Sequence, residues 1–171
     1  MNRVAELDWI RRVMQRFERP LVRFAAHITG SQEQARDVVQ DTFERLCCVD
    51  REQVELQLAA WLFRVCRNRA LDVSKKEGRM RPMSDEQREA RPHAASSPAS
   101  MAEARQELQR AMVALASLPD SQQEVVRLKI QAGLSYREIS EVTGHTVSNV
   151  GVLLHTALTT IRQHLAEGRP S

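Results

Sequence analysis

The sequence predicts an all-α chain: two small helical domains joined by a flexible linker, the C-terminal one a helix-turn-helix. Three observations carry this reading. Apolar residues recur at intervals of three and four, and no stretch alternates apolar and polar residues long enough for a strand. The periodic pattern stops between about residues 78 and 100, where Pro82, Pro92 and Pro98 fall among polar and small residues. A short helical pattern, a tight turn around Gly144 and a longer helical pattern close the chain. A structureless stretch of about 20 residues is unusual within one compact domain. The linker is therefore placed at 80–100, between domains at 1–79 and 101–171.

The N-terminal domain predicts three helices. The first runs from about Val4 to Ile28. The second begins after Gly30, with Ser31 as N-cap and Gln34 completing a capping-box pattern. Its apolar stripe is Ala35, Val38, Val39, Thr42, Phe43 and Leu46. The third covers about Leu56 to Val73, and Trp61 and Phe63 are assigned to the core because both have apolar neighbours.

The C-terminal domain is patterned more sharply. Leu108, Met112, Leu115 and Leu118 share a helical face that Pro119 ends. Asp120 is the expected cap of the next helix, which buries Val125, Val126, Leu128 and Ile130 and ends at Gly133. Ser135 and Glu138 form a capping box for a short helix through Ile139 and Val142. After the Thr143-Gly144-His145 turn, Thr146 or Ser148 starts the last helix, with Val147, Val150, Leu154, Ala157, Leu158, Ile161 and Leu165 facing inward.

Composition narrows the function classes. The chain has 171 residues, 42% hydrophobic and 27% charged, which suits a globular chain rather than a disordered one. No apolar run approaches a membrane span, and the N-terminus lacks a signal core, so a cytoplasmic location without membrane insertion is expected. Cys47, Cys48 and Cys66 form no C-x-x-C, and the histidines have no metal-binding spacing, so no metal or other cofactor is expected. No phosphate-cradling glycine loop or nucleophile elbow is present, so an enzyme is not expected.

Charge is distributed unevenly. Residues 31–55 hold seven acids against three bases, a net of −4, whereas residues 61–82 hold seven bases against two acids, a net of +5. Neighbouring segments of opposite sign suit two different partners. The basic stretch, with Trp61, Phe63 and Asn68 among its charges, fits the backbone and bases of unpaired nucleic acid. Residues 124–167 sum to zero, so the helix-turn-helix has little non-specific pull on phosphate. Thr146, Ser148, Asn149 and His145 are the polar groups at the start of its reading helix. On these grounds alone, a stand-alone dimeric helix-turn-helix regulator and a scaffold of two helical bundles remain alternatives.

The order of motifs resembles a known family. The segments Leu21-Val22-Arg23-Phe24-Ala25, Thr29-Gly30 and Ala35 through Phe43 resemble the polymerase-binding region of bacterial sigma factors. Ala60 through Asp72 resembles their −10 promoter region. Leu115 through Pro119, Val125-Val126-Arg127-Leu128, Gly133 through Ile139, Val150, Ala157 and Ile161-Arg162 resemble their −35 region. Two short domains in this order are similar to the extracytoplasmic function (ECF) subgroup of the sigma-70 family.

The resemblance implies a promoter-specificity subunit that binds core RNA polymerase and promoter DNA and assists strand opening. It places Asp37, Val38, Gln40, Asp41 and Phe43 on the polymerase. It places Arg64, Arg67, Asn68, Asp72, Lys75 and Lys76 on the −10 strand, together with the loop of about Val49 to Gln57. Thr146, Ser148, Asn149 and His155 would read the −35 duplex. The linker would lie in the polymerase channel, where Asp85, Glu86 and Glu89 would mimic nucleic-acid charge. An anti-sigma factor joins the partners the family allows. The chain departs from the family in carrying Gly151, Leu153 and Thr156 where lysine or arginine is usual, which leaves Leu153 to a protein partner.

Overall fold

The computed structural model describes residues 3–76, 78 and 98–167. The expected linker at 80–100 lies outside them up to residue 97, as do Asp85, Glu86 and Glu89. The described residues form helices and turns only. In order they are α1 (Arg3–Thr29), α2 (Gln32–Leu46), the single turn α3 (Arg51–Val54), a 3-10 turn (Glu55–Gln57), α4 (Leu58–Lys76), α5 (Pro98–Ala116), α6 (Asp120–Ile130), α7 (Tyr136–Thr143) and α8 (Val147–Glu167). Helix α5 begins at Pro98, three positions before the expected boundary at 101.

Helices α1, α2 and α4 pack on one another as a three-helix unit. Pro20 sits inside α1. A proline there costs about 3 kcal/mol. The helix continues because Leu21, Phe24 and Ala25 just beyond it are buried, and each large apolar side chain returns about 1.5–3 kcal/mol. Phe24 meets Phe63 of α4 edge to face, with centroids 5.4 Å apart. Gly30, at φ 71°, turns the chain into α2 in a conformation that suits glycine. Ser31 caps α2 by accepting from the Gln34 amide, but Gln34 Oε1 has no partner, so the expected box is formed on one side only. The buried face of α2 is Ala35, Val38, Val39, Thr42, Phe43 and Leu46, as its spacing predicts.

Two buried polar groups in this unit bond backward. Thr42 donates its hydroxyl to the Val38 carbonyl at 2.8 Å, and Thr29 donates to Ala25 at 3.1 Å. Neither is left unsatisfied. Cys66 is fully buried, and burial pushes its thiol up to about 12, partly offset by a hydrogen bond with Thr42. It is a core residue rather than a nucleophile.

Helices α5 to α8 form the second unit. Gln123 donates its amide to the carbonyls of Ala116 and Leu118, closing the end of α5. Proline takes the N-cap position of α6: Pro119 occupies it, and Asp120 is the first helical residue rather than the cap. Ile130 is 67% exposed, contrary to its expected burial, because it falls in the last turn of α6. Lys129 reaches over the Tyr136 ring at 5.5 Å and donates to the Leu134 carbonyl, which ties α6 to α7. Ser135 and Glu138 form both halves of a capping box at the start of α7. Gly144, at φ 79°, ends α7 in the left-handed conformation.

The two units meet. Helix α4 packs against α7, and the buried apolar side chains of both units form one contiguous cluster. Arg67 of α4 pairs with Glu124 of α6 at 2.6 Å.

Candidate nucleic-acid interface

Helix α4 presents a polar stripe. Arg64, Asn68, Asp72 and Lys75 follow the three- and four-residue helical rhythm and are exposed, with Lys76 beside them. Arg67 points away from this stripe toward α6. Arg69 leaves it too, donating from Nε to Asp41 of α2 at 2.5 Å. The expected loop before α4 is in fact helical, as α3 followed by the 3-10 turn. Arg51 within it pairs with Glu55 and lies over the Trp9 ring at 5.2 Å, which anchors the segment to α1. Leu56, at the turn, is 96% exposed.

A small cleft opens between this segment and α4. Gln53, Val54, Gln57, Ala60, Trp61 and Arg64 line it, and Glu141 of α7 closes its far side. Trp61 is therefore only half-buried: it packs on the core and also walls the cleft. Gln53 and Gln57 fall within the Val49–Gln57 segment that the family resemblance places on the −10 strand, whereas Trp61, assigned to the core, also forms a wall of the cleft.

The face expected to meet the polymerase is divided by burial. Asp37 and Gln40 are exposed on α2, and Asp41 is half-exposed in its pair with Arg69. Val38 and Phe43 point into the core, at 1% and 5% exposure, so their side chains do not belong to that surface. An apolar stripe must face inward in a unit this small, and α2 spends these two residues on it.

In the C-terminal unit, α7, a short turn and α8 form the helix-turn-helix. The turn is fixed by Ser140, which donates to the His145 carbonyl at 2.6 Å, and by the Thr143 hydroxyl, which accepts from the His145 amide. Thr146 caps α8 by accepting from the Asn149 amide at 3.1 Å. Thr146, Ser148, Asn149 and His155 all stand in solvent. Val147 is exposed rather than inward, since it opens the first turn. Val152 lies between Ser148 and His155 on the outer face at 60% exposure. Its spacing from Ser148 could have marked it, but its apolar character hid it. Leu153 packs partly against the core rather than standing free for a partner.

A helix-turn-helix joined to a unit with a basic helix stripe defines a protein built to hold nucleic acid at two places. The family models for Sigma-70 region 2 and Sigma-70 region 4 match residues 13–80 and 108–161. The ECF RNA polymerase sigma factor EcfG of Rhodopseudomonas palustris is 31% identical over 74% of this chain and 68% of its own length. RpoE of Cereibacter sphaeroides is 25% identical over 85% of this chain and 78% of its own. SigM of Bacillus subtilis is 27% identical over 85% and 88%. The solved structure of CnrH in complex with the cytosolic domain of CnrY is similar at a TM-score of 0.60 and 24% identity, covering 94% of this chain and 89% of that one.

The chain belongs to the ECF RNA polymerase sigma factors of the sigma-70 family. It binds core RNA polymerase and promoter DNA and serves promoter-specific transcription initiation. Among the described residues no helix is long and apolar enough to cross a membrane.

Proposed function

We propose a division of labour among named residues. The polymerase is held by the outer face of α2 through Asp37, Gln40 and Asp41, while Val38 and Phe43 set the helix on its core. The opened −10 strand lies along Arg64, Arg67, Asn68, Asp72, Lys75 and Lys76, and the cleft beside Trp61 receives an unstacked base. The −35 duplex is read by Thr146, Ser148, Asn149 and His155, and Val152 suits a thymine methyl group. The corresponding domains are 1–79 and 101–171, joined by 80–100. The chain itself catalyses no bond change and works in the cytoplasm. An anti-sigma factor is included among its partners, supported by CnrH having been solved with the cytosolic domain of another protein.

The observation that carries this reading is the outward acid–amide face of α2 on the same small unit as the basic stripe of α4. The test is capture of core polymerase by the Asp37→Lys chain. Asp37 is exposed, so the substitution leaves the melting temperature unchanged. Capture falls at least about tenfold, the scale of a charge reversed within a protein interface. Undiminished capture removes α2 from the contact.

A further inference from the structure

Cys47 and Cys48 are neighbours at the end of α2 and both are exposed, whereas Cys66 is buried. Neither exposed thiol is among the residues assigned to polymerase or promoter. The pair closes a tight turn. The Cys47 and Cys48 amides donate to the carbonyls of Phe43 and Arg45, both at 3.1 Å, and the Val49 amide donates to Leu46 at 3.3 Å. Leu46 before the pair is buried and Val49 after it packs on the core, so the turn is pinned on both sides. Adjacency selects the chemistry. Neighbouring Cα atoms across a trans peptide are about 3.8 Å apart, less than the roughly 4.4 Å at which ordinary disulfides begin. A direct sulfur–sulfur bond is strained here, and a larger atom placed between the sulfurs relieves the strain. Zinc fits poorly, because it takes four ligands and no group of three ligating side chains exists among the described residues. Trivalent arsenic is soft and sulfur-seeking, bonds in a pyramid, and is satisfied by two sulfurs and one oxygen or carbon of its own.

We propose that Cys47 and Cys48 together form a binding site for trivalent arsenic. Two As–O bonds are exchanged for two As–S bonds. Each thiol proton passes to a departing arsenic hydroxide, which leaves as water, and no electron changes hands. Successive side chains on a helical turn point about 100° apart. The two sulfurs must therefore swing together to share one atom. With Leu46 and Val49 anchored, the adjustment falls on the backbone bonds of the pair to Phe43 and Arg45 and on the chain that leads into α3 at Arg51. Both tryptophans of the chain flank that segment. Arg51 lies over the Trp9 ring at 5.2 Å, and Trp61 shares the cleft with Gln53 and Gln57. Arsenic capture is thereby coupled to the position of α3 and the 3-10 turn. The site does not rest on the reading of that segment as a promoter contact, since its test needs neither polymerase nor DNA.

The test titrates the reduced full-length chain with sodium arsenite and with phenylarsine oxide. The second compound offers only two exchangeable positions, so it isolates a pair of thiols. Native mass spectrometry should show one arsenic on one chain, with two thiol protons lost. Excess glutathione, a monothiol, should leave the phenylarsenic group in place, whereas dithiothreitol, a dithiol, should remove it. Cys47→Ser and Cys48→Ser each delete one sulfur at an exposed position, so the melting temperature should stay at the wild-type value. Each should weaken phenylarsine oxide binding about a hundredfold, the scale on which a second tethered contact adds to a first. Tryptophan emission of the wild type should shift on binding and stay constant in the Cys47→Ser/Cys48→Ser chain. Wild-type affinity in either single variant overturns the shared site, as does an arsenical stripped by glutathione or bridging two chains. One firmly held arsenic with unmoved tryptophan emission overturns the coupling to α3 and supports the site alone.

Discussion

Individual residues in this chain are divided between holding the fold and facing a partner, and charge type alone does not say which. Asp41 and Asp37 lie four positions apart on α2, yet Asp41 is engaged with Arg69 whereas Asp37 is exposed. Reversing Asp41 therefore disturbs the α2–α4 contact as well as any partner contact, and Asp37 is the cleaner probe. Gly151 illustrates the opposite case. It sits inside α8, where glycine costs about 1 kcal/mol against alanine. A Cβ built there would meet the Tyr136 ring at 3.7 and 4.0 Å, ordinary contact distances, with no positive φ to oppose it. Gly151→Ala should therefore stabilise the chain by about 1 kcal/mol and raise its melting temperature by about 3 °C. A thermal melt checks this, and an unchanged or lowered midpoint contradicts it.

At the scale of elements, caps and stripes decide where helices begin and what they bury. The Ser135–Glu138 box satisfies two amides at the start of α7, the helix that positions α8. Ser135→Ala should cost about 1 kcal/mol and lower the melting temperature by a few degrees. Differential scanning calorimetry measures this, and a shift confined to noise would remove the cap from the stability of the helix-turn-helix. Such elements were legible in the sequence because their signals are local. The six buried residues of α2 follow from spacing, and the α7 box follows from two residues three apart. Where the signal is not local, reading failed. The single turn α3 and the 3-10 turn are too short to show a period. Ile130 and Val147 fit their stripes but sit in terminal turns, where the helix has run past the core. The polymerase-contact and promoter-contact roles came from resemblance to a family and not from periodicity, and burial removes Val38 and Phe43 from the outer face. The Arg67–Glu124 pair spans 57 positions and has no sequence signature at all.

At the scale of the molecule, the contact between units places a titratable group at their boundary. His27 of α1 is held at about 4, below its ordinary 6.5, first by burial and second by the nearby charge of Arg127 on α6. Both causes favour the neutral ring. Between pH 6.5 and about 4 the unfolded chain binds a proton that the folded chain refuses. The contribution of His27 to stability is thus fully present above 6.5 and is lost as pH falls toward 4, with no further loss below that. The whole span amounts to about 3 kcal/mol at most. Nδ1 of His27 is buried without a hydrogen-bond partner, so an apolar side chain can replace the ring without stranding a donor. Urea unfolding of wild type and His27→Leu from pH 7 to pH 4.5 isolates the effect, because acid-sensitive carboxylates are common to both. Wild type should lose about 2 kcal/mol more than the variant over that range. Parallel curves would show that the ring is not shielded.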